Sequence, residues 1–280
     1  MNAITASPGT RDTIRLACVR APEDDIAPQH WQGGEIHCET CVHAAMRHLP
    51  EQQGCEPGYA CLQDVYARRI DRFFRWHPTL ADAHITHPYF EVRAIAARYV
   101  NVFRLGSLIS DPDETVRLQV ALRLPPTQLT ALVADPHREV RIRVAQRLSA
   151  TELASLRHDP DYGVRELVAQ RLSLAILPTM ANDPDRAVRM RVAQRLEMPA
   201  LLRMVDDSEP EVRRMVAERL PVALLSRLAH DEDWRVRWEV AQRADANLLK
   251  AMWQDPEPEV REAVQARHAH TVTPLGVAHG

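Results

Sequence analysis

Apolar positions along this chain return in threes and fours rather than in twos, and the whole pattern returns every 24 residues. A Val-Arg pair stands at 92–93, 116–117, 140–141, 164–165, 188–189, 212–213, 236–237 and 260–261, with no insertion or deletion between copies. Within one copy Val140, Val144 and Leu148 fall at i, i+4 and i+8, with Ala145 beside Val144. That spacing predicts an amphipathic helix of about three turns. The alanine recurs at 121, 145, 169, 193, 217 and 241, where a small side chain lets neighbouring helices approach closely. Asp111-Pro112, Asp135-Pro136, Asp159-Pro160, Asp183-Pro184 and Asp255-Pro256 read as a helix N-cap followed by proline at the first helical position. A polar or proline break such as Pro125-Pro126-Thr127 closes each helix, and a second apolar set follows at a spacing of three: Leu129 and Leu132, Leu153 and Leu156, Leu177 and Met180, Leu201 and Met204, Leu225 and Leu228, Leu249 and Met252. So short a piece predicts a one- or two-turn helix or a 3₁₀ segment. No stretch alternates with period two for the length of a strand. The fold class is therefore all-α, a solenoid of 24-residue repeats in which each unit packs on its neighbours.

The pattern weakens at both ends, which divides the chain. Residues 1–62 read as a leader, with one short helix near Arg11–Val19, followed by a cysteine-rich segment in which Val42–Leu49 and Tyr59–Trp76 are candidate helices. Residues 63–86 crowd Phe73, Phe74, Trp76 and Leu80 and keep Arg69 at 24 residues before Arg93. They read as a degenerate repeat capping the array, because a regular unit at the end would leave its apolar face in water. Residues 87–267 are the repeat solenoid, and 268–280, which lose the second apolar pair, read as a frayed tail.

Charge refines this picture. The 280 residues carry a net −3, and all of it falls in residues 1–86; the rest is neutral. Of the 35 cations only Lys250 is a lysine. One arginine follows each Val directly; another, at 123, 147, 171, 195, 219, 243 and 267, stands seven residues after it. Such a ladder could grip an anionic partner, but a neutral array favours pairing with Asp or Glu of its own or the next unit, such as Asp111, Asp135 or Glu139. Nucleic-acid binding calls for a basic face with interleaved aromatics, so it is not expected here. Trp234, Trp238 and Trp253 are assigned to core or edge packing. No apolar run is long enough to span a bilayer and no signal peptide is read, so a cytoplasmic location is expected.

All five cysteines lie in the first 61 residues. Their odd number and the expected compartment argue against a disulfide framework and for metal or cluster binding. Cys38-x2-Cys41 offers two thiolates from one tight turn, and Cys55 and Cys61, carried by Gly-containing loops, complete a four-thiolate site. Both Zn²⁺ and an iron–sulfur cluster accept four thiolates; the five-residue gap between Cys55 and Cys61, where structural zinc sites have a second CxxC, tilts the reading toward iron. Cys18 is the leftover thiol, able to substitute for Cys55 or Cys61. His37 and His43 flank the CxxC and are expected to stand beside the thiolates rather than to bind. Glu35, Glu39, Glu51 and Glu56 make the surroundings acidic, which lowers a cluster's potential.

The 24-residue unit, with its Val-Arg, its Val-Ala-Gln-Arg-Leu and its paired Leu/Met positions, resembles the leucine-rich repeat variant (LRV) family, and the cysteine segment resembles that family's N-terminal iron–sulfur domain. The resemblance covers residues 38 to about 267. It implies a [4Fe–4S] cluster held by Cys38, Cys41, Cys55 and Cys61, α- and 3₁₀-helices alternating in a right-handed superhelix, and an association with nitrogen-fixing bacteria. Tyr99 in place of the second arginine, Ala244 in place of leucine and the missing second helix after His268 depart from the pattern, all at the array's ends.

These readings converge on a non-enzymatic scaffold: a curved solenoid, roughly 70–80 Å long if stacked helices lie 8–10 Å apart, binding another protein on its concave side, with a structural, sensing or electron-relaying cluster at its N-terminal end. A zinc-stapled interaction module is the alternative. A cluster-dependent enzyme is disfavoured, because no Gly-rich phosphate loop and no nucleophile–His–acid set is present.

Overall fold

The computed structural model describes residues 26–50 and 53–272. Cys18, Glu51, the expected helix near Arg11–Val19 and the last part of the tail, 273–280, lie outside the described residues. The chain forms two compact units, one ending at Val100 and one beginning at Asn101. No strand forms among the described residues; two isolated bridges, His30 with Asp64 and Glu56 with Ala60, are the only extended pairings there.

In the first unit the 3₁₀ turns Cys38–Thr40 and Ala44–His48 precede the helix Ala67–Trp76, a short helical pair (Pro78–Leu80 and Ala81–His84) and the helix Phe90–Tyr99. Two sequence expectations need correction. Val42–Leu49 winds only as a 3₁₀ turn over Ala44–His48. The expected helix through Cys61 starts later, at Ala67. Residues 56–60 are taken up by the small bridge, and the Asp64 carboxylate accepts the Tyr66 N–H (2.9 Å) in a turn just before the helix. Ile70, Phe73 and Phe74 are fully buried. Arg69, at zero exposure, is held by the Asp64 carboxylate at 3.0 Å.

The second unit is the regular array. Long helices at Glu114–Arg123, Arg138–Arg147, Tyr162–Arg171, Arg186–Ala193, Pro210–Arg219 and Trp234–Arg243 each pack on the helices of adjacent copies. Between them run the short segments Pro126–Leu132, Ala154–His158 (after one α-turn, Ala150–Leu153), Leu177–Met180, Ala200–Met204 and Val222–Arg227, all 3₁₀, as the i, i+3 spacing predicts. The last, Ala246–Ala251, is α-helical. Val140, Val144, Ala145 and Leu148 are at most 1% exposed, so the predicted stripe is the core.

The arginine after each Val is buried and joins two copies. Arg165 donates Nε and Nη2 to the two carboxylate oxygens of Asp183 in the next copy (2.8 and 3.0 Å), and Nη1 to the carbonyl of Asp159 in its own (2.8 Å). The same three bonds recur from Arg117, Arg141, Arg189, Arg213 and Arg237. Each Asp also accepts the backbone N–H two residues on, as Asp135 does from His137 (2.9 Å). The Asp of Asp-Pro is therefore not the N-cap. That place falls two residues later, where Asp113, Asp161, Asp185 and Asp233 accept from the first turn and His137 and Glu209 make no side-chain cap bond. The second arginine goes to the helix behind it: Arg147, Arg195, Arg219 and Arg243 donate to the carbonyls of Ala121, Ala169, Ala193 and Ala217 at 2.6–2.7 Å, and Arg171 donates to Ala145. These are carbonyls near a helix C-terminus that the helix itself leaves open.

Two further expectations change. Residues 268–272 continue the helix Pro258–Val272 instead of fraying. The earlier helices stop one residue before a Pro, Ser, Glu or Asp break, and His268-Ala269-His270 supplies none. Trp234, Trp238 and Trp253 are 38%, 36% and 43% exposed and so are not core: on the helix Trp234–Arg243 the inward positions belong to Val236, Val240 and Ala241.

Removing one partner of a buried ion pair strands the other. Arg165→Ala is expected to lower unfolding free energy by about 3–5 kcal/mol, and Arg165→Lys to recover only part of it, because an ammonium cannot make the fork. Arg191→Ala, which breaks a half-exposed pair with Glu166, costs under about 1 kcal/mol. Urea unfolding midpoints of the three variants check this ordering.

Candidate metal centre

The four cysteines are positioned by turns rather than by long elements. Cys38 opens a 3₁₀ turn and Cys41 closes it, its N–H donating to the Cys38 carbonyl at 3.3 Å. The next turn starts on Cys41, whose carbonyl accepts from Ala44 at 2.9 Å. Cys55 is brought against that second turn by its own N–H, which donates to the Met46 carbonyl at 3.3 Å. Gly54 makes this approach possible: a Cβ there would lie 2.5 Å from the Met46 carbonyl oxygen. Cys61 is 6% exposed and tied through its N–H to the Arg69 carbonyl at 3.1 Å.

Burial and mutual proximity both disfavour free thiolates here. Burial pushes Cys38 up, aided by Cys41 and Glu39 and opposed by Arg47. Cys55 rises to about 11, through burial first and then through Cys41 and Cys38. Cys61 rises to about 12, through burial and then Asp64, Cys55 and Cys38, against a hydrogen bond from the Gln63 backbone. The four sulfurs thus share one electrostatic neighbourhood. As they stand, no three His, Cys, Asp or Glu side chains among the described residues close on a common point tightly enough to hold a metal ion. The donor chemistry nevertheless fits such a group: four soft thiols lie together, and the His43 N–H donates to Cys41 Sγ at 3.4 Å. A bound cation would supply the charge that these burdened thiols lack.

His43 straddles the set. Besides its N–H to Cys41, its carbonyl accepts from the Cys55 thiol at 3.8 Å. Its imidazole turns the other way, with Nε2 3.3 Å from Nε2 of His84. His84 Nδ1 lies 2.7 Å from the Leu80 carbonyl, which can only accept; Nδ1 therefore carries the proton and Nε2 accepts from His43. His43 stands beside the thiols, as the sequence suggested, while His37 precedes the Cys38 turn. The sequence gave no sign of Arg47, His77 or His84. Arg47 offsets part of the local acidity, and His77 Nε2 meets the Gly54 carbonyl at 2.6 Å. Next to Cys41 an open cavity of about 450 Å³ is lined by His30, Gln32, Glu35, His37, Thr40 and Gln63.

A solved structure described as "a leucine-rich repeat variant with a novel repetitive protein structural motif" is 44% identical to this chain, with a TM-score of 0.78, over 83% of this chain and 98% of that one. The chain belongs to the leucine-rich repeat variant family. The family described as "LRV protein FeS4 cluster" matches residues 28–83, which enclose Cys38, Cys41, Cys55 and Cys61, and the leucine-rich repeat variant unit matches 114–137 and 210–233. This LRV chain is also 46% identical over 98 residues to the "uncharacterized 27.7 kDa protein in nifB 3'region" of Rhodobacter capsulatus, which is 35% of this chain and 39% of that relative. Among the described residues no helix is long and apolar enough to cross a membrane.

With the metal stripped, Cys61 is expected to be alkylated by iodoacetamide near pH 8 at least about a hundredfold more slowly than a free cysteine, because the thiolate is the nucleophile. Site-resolved mass spectrometry reads this; labelling of Cys61 at the rate of a free cysteine contradicts it.

Proposed function

We propose that this LRV protein is a cytoplasmic, non-enzymatic scaffold in which Cys38, Cys41, Cys55 and Cys61 hold a [4Fe–4S] cluster and the repeat array binds another protein on its concave face. The observation that carries the cluster is the FeS4-cluster family match over residues 28–83, within which four thiols form one electrostatic neighbourhood. Bound there, the group supplies one-electron chemistry and a cross-link between the turns that carry the thiols. The chain's own residues supply the rest. The backbone of His43 contacts Cys41 and Cys55, and Arg47 brings positive charge to Cys38 and Cys55. The array supports a scaffold because its recurring arginines are consumed in holding copies together. A role connected with nitrogen fixation follows from the position of the Rhodobacter capsulatus relative beside nifB.

Anaerobically purified protein is expected to contain iron and acid-labile sulfide and to show broad visible absorption. Cys38→Ala bleaches that absorption, and Cys18→Ala leaves it intact. Stoichiometric zinc in a colourless protein overturns the proposal in favour of a zinc staple.

A further inference from the structure

Two grooves on the array are built from the same repeat positions, three copies apart. One, of about 250 Å³, has His158 and Asn182 on its rim, with Met180 and the Arg165–Asp183 pair among its lining. The other, of about 320 Å³, has His230 and Gln254 on its rim, with Met252 and the Arg237–Asp255 pair. In both, an imidazole of one copy and a carboxamide of the next stand immediately before the ladder aspartates. All four rim side chains are exposed, and none makes a hydrogen bond within the protein. The fold does not use them, so their donors and acceptors are available.

The lining says what they would take. The guanidiniums are committed: Arg165 spends Nε and Nη2 on Asp183 and Nη1 on the carbonyls of Asp159 and Pro160. Arg237 does the same with Asp255, Asp231 and Glu232. No free cation therefore greets a phosphate. Neither lining includes Trp, Tyr or Phe, so a sugar ring has no face to stack on. A carboxamide offers a donor and an acceptor side by side, which matches the N–H and C=O of a peptide group. A site repeated along a solenoid suits a linear ligand that repeats as well.

We infer that these two grooves read the backbone of one extended polypeptide segment of a partner protein, Asn182 and Gln254 pairing with its peptide groups and His158 and His230 adding single bonds. The inference rests on the reading of the array as a protein-binding surface. Repeats stacked about 8–10 Å apart and an extended chain rising about 3.3 Å per residue put the two grooves roughly nine residues apart along that segment.

The test displays random, uncharged peptides of about twelve residues, longer than that span, to the full-length cluster-loaded protein. Selected peptides are then measured by fluorescence anisotropy. Two hydrogen-bonding sites lost together are worth about tenfold in affinity, so the Asn182→Ala/Gln254→Ala variant is expected to bind the selected peptides about tenfold more weakly with an unchanged melting temperature. Asn182→Gln/Gln254→Asn should restore most of the affinity, and peptides cut well below nine residues should lose it. Peptides that bind the alanine variant as tightly as the wild type overturn the groove assignment while leaving the array a protein-binding surface. A library that enriches no peptide removes the groove and weighs against that reading too.

Discussion

The array depends on one guanidinium geometry. Each ladder arginine must face a carboxylate of the following copy with two parallel N–H bonds and, from its remaining nitrogen, reach a carbonyl in its own copy. Arginine's planar fork can do both; an ammonium cannot. This explains a composition in which 34 of 35 cations are arginine. It also explains why the partner is always Asp: the same short carboxylate accepts the N–H two residues on and so shapes the turn that leads into the next helix. A buried pair of this kind is weak evidence of added stability. Its evident contribution is register, because a slip of one residue between copies would leave every buried guanidinium and carboxylate without its partner.

The second arginine completes the logic from the other end of the helix. The ladder ties each copy to the next through side chains, whereas Arg147, Arg195, Arg219 and Arg243 tie it to the copy before through helix-end carbonyls. Apolar burial supplies the bulk of cohesion through Val, Ala and Leu, and the arginines decide which surfaces meet. With those charges consumed internally, an array dense in arginine presents no polyanion-binding face.

Much of this was legible in the chain because the repeat is strict. The core stripe and the 3₁₀ spacing are local periodicities, and the structure realises both. Where the reading slipped, a partner distant in sequence had intervened. Asp135 has the sequence signature of an N-cap, but its carboxylate is taken by Arg117, 18 residues earlier, so the cap moves to the next polar position. The helix expected through Cys61 is shortened by the turn that buries Cys61 and Asp64. Trp234 and Trp238 were assigned inward from their size, although their register against Val236 and Val240 places them outward. His84 carries no spacing signal, since its contact with His43 spans 41 residues.

Chemistry is concentrated where the periodicity fails. Cys38, Cys41, Cys55 and Cys61 lie in turns held by backbone bonds and by glycine, and their shared burial makes them poor free thiolates and good ligands for a soft cation. Cys61 is the most demanding member of the proposed set, the most buried and the highest in pKa. Mössbauer spectroscopy of ⁵⁷Fe-enriched full-length protein, compared with Cys61→Ser, tests the four-thiolate assignment most directly. A single four-iron cluster that is lost or altered at one iron in the variant is the predicted result. A spectrum unchanged by Cys61→Ser, or an absence of cluster iron in the wild type, would contradict it.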